Sequence, residues 1–168
     1  IMPSLVGSEM CIRDRFMLPQ FKPVMAITII AGAAFGAESG FLVGSMTMLI
    51  SNMMFGQGPW TPWQMFAMGI SGFLAGLLFG GGRLRAGRGS LCAFGALCAV
   101  IVYGGIVNPA SALIWTHTLN WETVAAYYLT GFPMDCVHAA ATWLILWFIA
   151  EPMLEKLERI KIKYGMLE

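Results

Sequence analysis

No charged residue occurs between Ser39 and Gly82. At about 1.5 Å per helical residue, that stretch is long enough for two crossings of a hydrocarbon core about 30 Å thick. The break inside it is plain. Phe55-Gly56-Gln57-Gly58-Pro59-Trp60-Thr61-Pro62-Trp63 holds two glycines and two prolines, residues that end helices. The pattern therefore predicts helices over about 40–55 and 63–81. An earlier apolar run, about 23–37, stops before Glu38 and is short for a full crossing; Pro23 suits its first turn. Beyond Arg83, Arg85 and Arg88, in a glycine-rich loop, residues 89–108 are again uncharged and read as a span stopped by Pro109. Residues 109–121 are polar and aromatic, 122–131 fit a short interfacial helix, and a last span is expected from about Pro133 to Ala150. Glu151-Pro152 then opens a charged amphipathic tail, 151–163.

Composition strengthens this reading. Of 168 residues, 58% are hydrophobic and 11% charged, whereas a soluble domain carries about 25% charged residues. A disordered chain or a nucleic-acid binder needs charge that is not here, and a net charge of +1 calls for neither an acidic nor a basic partner. The expected fold is an all-α integral membrane protein with five transmembrane helices. The four cysteines form no CxxC, and the last three fall in apolar stretches, so they read as packing residues. Residues 1–15, IMPSLVGSEMCIRDR, break the pattern, mixing polar and charged residues with no period. They resemble translated sequencing-adapter sequence and are set aside as non-native, which leaves one membrane domain over 16–168.

Charge asymmetry orients the spans, since cytoplasmic loops collect Lys and Arg. With the 83–88 loop inside, Arg83, Arg85, Arg88, Lys156, Arg159, Lys161 and Lys163 all lie inside and Lys22 lies outside. The 151–163 tail is then cytoplasmic. Five spans place Phe16 outside, so a sixth helix is expected upstream of it.

Candidate chemistry gathers at the outer side. Gly32, Gly36, Gly40 and Gly44, and again Gly72, Gly76 and Gly80, recur every four residues, a spacing that lets helix backbones approach closely; packing within the bundle is the leading reading, and contact with another subunit the alternative. The loop GQGPWTPWQ places Trp60 and Trp63 beside Gln57, Thr61 and Gln64. Tryptophan faces bury broad apolar ligands, and amides fix their orientation; the competing reading is an interfacial aromatic belt. Asn52 and Asn108 sit at outer helix ends, able to bind a ligand or to tie helices together. Asp135 and His138, at i and i+3, share a helix face; an ionisable pair in an apolar helix marks either a ligand site or a structural anchor. Lys22, on the same side, completes the candidate set. There is no Cys/His spacing for a metal and no cofactor fingerprint. Without a P-loop, the chain cannot itself hydrolyse ATP.

Four segments carry a family resemblance: LPQFKPV at 18–24, AFGAESGFLVGSM after it, SNMMFGQGPWTPWQM at 51–65, and GFPMDCVHA at 131–139. Together they resemble a substrate-binding S component of energy-coupling factor (ECF) transporters, over about residues 17–165. The resemblance implies a six-helix, non-enzymatic subunit of the bacterial plasma membrane, binding a vitamin or similar micronutrient on its extracellular side. Import would then need a transmembrane coupling subunit and two ATPase subunits. It also implies a pocket built from outer loops, here Pro19–Pro23, Gly56–Trp63 and Asn108–Gly131, and a first helix of small residues that contacts the coupling subunit, the helix missing before Phe16. The GPWTPWQ loop leans toward a corrinoid such as cobalamin; riboflavin, folate, thiamine, biotin, queuosine precursors and pantothenate are the family's other substrates. The rival classes are a small intramembrane enzyme, which would need acids or histidines clustered at one depth, and a structural or assembly membrane protein, which would not need a polar-aromatic mouth.

Overall fold

A computed structural model describes residues 23–117 and 120–164. Five helices account for nearly all of them: α1 (Val24–Phe35), α2 (Ala37–Phe55), α3 (Thr61–Gly80), α4 (Arg88–Thr116) and α5 (Trp121–Lys163). The described residues are all-α, as expected of a membrane bundle. By length and apolarity α3, α4 and α5 are able to cross a membrane; α1 is apolar but short. The five predicted spans thus correspond to five helices, three of which meet that measure.

The short α1 is the centre of the bundle. Its sequence, VMAITIIAGAAF, has no polar stripe, and a helix apolar on every side must be covered on every side. Ten of its twelve residues are buried, with Met25, Ile29 and Ile30 fully enclosed. Around it pack α2, α3, α5 and part of α4.

One residue turns α1 into α2. Gly36 has φ +94° and ψ 177°, a conformation open essentially to glycine alone. The chain folds back so sharply that Gly32 meets Gly40, and Thr28 meets Gly44. Helix α3 lies against this corner in a four-residue register: Gly44 faces Met68, Gly40 faces Gly72, and Gly36 with Ala37 faces Gly76. A methyl group on Gly44 would stand 2.6 Å from the Met68 carbonyl oxygen. The two glycine ridges therefore serve packing inside the bundle, where three backbones nearly touch.

Two predicted boundaries do not hold. Pro109 does not stop α4, which runs on to Thr116. A proline leaves the carbonyl four residues earlier without its helical donor; here that carbonyl, on Gly105, accepts a hydrogen bond from the Tyr128 hydroxyl at 3.2 Å. Nor are 122–131, 133–150 and 151–163 separate pieces. They form one 43-residue helix through Pro133 and Pro152, opened by a capping box between Asn120 and Thr123. At about 1.5 Å per residue it is about 64 Å long, twice a bilayer core.

Its last turns fold over the bundle. Leu157 is buried, and Met153 and Leu154 pack on the core. Lys161 donates to the Ala34 carbonyl at the C-terminal end of α1, where a cation also suits the helix dipole. Arg88, at the start of α4, pairs with Glu151 and lies over the Trp147 ring. A cavity of about 670 Å³ remains at this end, lined by Arg85, Glu155, Glu158 and Lys161 among others. Of the cysteines, Cys92, Cys98 and Cys136 are free. Cys11 and the whole 1–15 segment lie outside the described residues.

Candidate functional site

The opposite end of the bundle holds the predicted site residues that the structure describes. Helix α2 stops at Gly56, whose φ of +114° turns the chain and whose N–H caps the Asn52 carbonyl at 2.9 Å. Five residues later α3 begins at Thr61, with Pro62 where a first helical turn tolerates it. This short connection brings three predicted residues together. Buried Asn52 donates through Nδ2 to Thr61 Oγ1 at 3.3 Å and to Gln64 Oε1 at 3.0 Å. Thr61 Oγ1 also accepts from the Gly58 N–H at 3.3 Å. Asn52 is thus an interhelical tie that fixes the loop. An amide carries both donors and acceptors, and these bonds leave the Asn52 oxygen and the Gln64 amino group for other partners.

Trp60 stacks on Trp115 of α4, with ring centres 6.4 Å apart and planes at 20°. Trp63 is 40% exposed, and Gln57 and Pro59 are exposed on the loop between. The Trp60 stack joins the α2–α3 connection to the C-terminal end of α4, so both belong to one end of the bundle.

A second polar group sits on α4 and α5. Asn108 Nδ2 donates to Asp135 Oδ2 at 2.9 Å. Two glycines make room for them. A methyl group on Gly104 would lie 2.6 Å from Asp135 Oδ2, and one on Gly131 would lie 2.6 Å from Asn108 Oδ1. One turn further in, His138 is buried and meets Tyr103 edge-on, with ring centres 5.1 Å apart. Among the described residues no three of His, Cys, Asp and Glu come together as a metal site would need.

Of the ten predicted residues, Asn52, Thr61 and Gln64 form one cluster and Asn108 and Asp135 another, with His138 beneath the second. Trp60, stacked on Trp115, joins the loop of the first cluster to the helix that carries Asn108, Trp63 and Gln57 are exposed, and Lys22 lies outside the described residues. The expected Asn108–Gly131 loop is helical over most of its length. Sequence reading did not single out Tyr103 or Gly104, nor Trp115 as a partner of Trp60. Trp115 was hidden by the boundary drawn at Pro109. Tyr103 closes a π-helical stretch, Cys98–Tyr103, whose extra residue per turn shifts the inward face in a way no 3.6-residue period shows.

A family model described as "ECF-type riboflavin transporter, S component" matches residues 16–155. No solved structure matches the chain. The description names riboflavin and not the corrinoid toward which the tryptophan loop leaned; flat indole faces suit any broad planar ring and do not select between the two.

Proposed function

The chain belongs to the family of ECF-type riboflavin transporter S components, and on that premise we propose that it captures riboflavin, or a close flavin, at the mouth between α2–α3 and α4–α5. An S component is the substrate-binding subunit of a membrane importer and not an enzyme. The mouth faces outward, the vitamin is taken from outside the plasma membrane, and a transmembrane coupling subunit with two ATPase subunits supplies the energy for release inward.

One observation carries the reading: the Trp60–Trp115 stack ties the loop beside the Asn52–Thr61–Gln64 cluster to α4, the helix whose Asn108 pairs with Asp135. A flavin is a flat ring with a polar edge and a polyhydroxyl chain. Aromatic faces take the ring, while amides and a carboxylate take the polar parts. A membrane belt alone would not bury Asn52 against Thr61 and Gln64.

Riboflavin fluorescence, quenched on binding, reads the affinity directly in detergent-purified protein. Trp63→Ala is expected to weaken binding by about 1–4 kcal/mol, the range for an aromatic anchor. Arg85→Ala, at the other end of the bundle, is expected to bind as the parent does. Tight binding by Trp63→Ala together with loss in Arg85→Ala would move the site to the opposite end.

A further inference from the structure

A polar seam descends from the mouth along the contact of α4 with α5. Asp135, His138 and Thr142 fall at i, i+3 and i+7 on α5, one face of one helix. Their burial deepens in that order, from half-buried Asp135 to His138 at 5% and Thr142 at 0% exposure. Facing them on α4 are Asn108, Tyr103 and Gly95, where a methyl group on Gly95 would lie 3.0 Å from Thr142 Cγ2.

The lowest member is the telling one. Thr142 Oγ1 is fully buried and makes no hydrogen bond, neither to its own helix nor to a neighbour. A buried hydroxyl with no partner is destabilising, and this one stands at the foot of a line of polar side chains that starts at Asp135. Resting on the flavin reading above, we infer that the substrate site continues inward along this seam and that the Thr142 hydroxyl is its floor, donating to or accepting from the bound ligand. Asn108 and Asp135 form the rim. The Tyr103–His138 edge contact closes the seam one turn above Thr142, so a planar ligand enters by parting those two rings.

Thr28 supplies the control. Its Oγ1 is equally buried and equally without a partner, but it sits on α1 against Gly44 and Gly72, on the far side of the core. Riboflavin titration and thermal unfolding of the purified full chain separate the roles. Thr142→Val keeps the shape and removes the hydroxyl; it is expected to weaken riboflavin binding about 5- to 10-fold, the worth of one hydrogen bond. Thr142→Ser, which keeps the hydroxyl, is expected to bind within about 2-fold of the parent. Thr28→Val is expected to unfold at a higher temperature, with unchanged affinity. If Thr142→Val merely gains stability and binds like the parent, as Thr28→Val does, Thr142 is an ordinary buried hydroxyl and the inference is overturned. Equal weakening by Val and Ser overturns it too, since shape and not the hydroxyl would matter. A parent chain that binds no riboflavin removes the flavin reading itself, and this inference with it.

Discussion

Gly131 and Gly104 show how little space the α4–α5 polar pair has. Neither glycine is needed for its backbone angles, since both lie inside helices; each is small because an oxygen of Asn108 or Asp135 occupies the place of its side chain. Gly131→Ala is therefore expected to push Asn108 off Asp135 and to cost about 1–3 kcal/mol of stability, as overpacking does, with riboflavin affinity falling alongside. Asp135→Asn, which preserves the shape, is expected to leave unfolding close to that of the parent. If Asp135→Asn unfolds as early as Gly131→Ala, the carboxylate is a structural anchor and not part of the rim. The residue types at the mouth were legible in the sequence: amides, tryptophans and a carboxylate are conspicuous in so apolar a chain. Their pairing was not, because Asn108 and Asp135 are brought together by how two helices pack, which no local spacing encodes.

At the level of helices, the two glycine ridges announced close packing, and the structure supplies its geometry. Gly36 and Gly72 separate two costs. At Gly36 nothing stands within 4 Å of an added methyl group, and only the backbone angle resists, so Gly36→Ala is expected to cost about 1–3 kcal/mol of strain. At Gly72 the added atom meets the Gly40 backbone, which cannot rotate away as a side chain can. Gly72→Ala is expected to destabilise by more than Gly36→Ala, read from unfolding in graded detergent denaturant; the reverse order would mean that the corner, not the ridge, holds α1 to α3. The ends of α2 and α3 were legible because glycine and proline cluster there. The ends of α4 and α5 were misread because Pro109, Pro133 and Pro152 all lie inside helices; at Pro109 the carbonyl left without its helical donor is answered by Tyr128 from another helix.

Over the whole molecule, the chain alternates between two ends. Asn52, Trp60, Asn108 and Asp135 mark one; Gly36, Arg88, Glu151 and Lys161 mark the other. Seven basic residues lie toward the second, and by charge asymmetry that end is expected to be cytoplasmic. Membrane-impermeant thiol labelling of whole cells is expected to reach a cysteine at Gln57, which is exposed, and to miss one at Gly87; labelling of Gly87→Cys alone would invert the molecule. The enclosure of α1 has a further consequence, for the order in which the protein is made. Val24–Phe35 leaves the ribosome before every other described helix, yet its covering is finished by Leu157 and Lys161, among the last described residues to be synthesised. A twelve-residue segment about 18 Å long is also too short to settle in lipid as a stable span by itself. Its enclosure is therefore completed only after the last turns of α5 have been made.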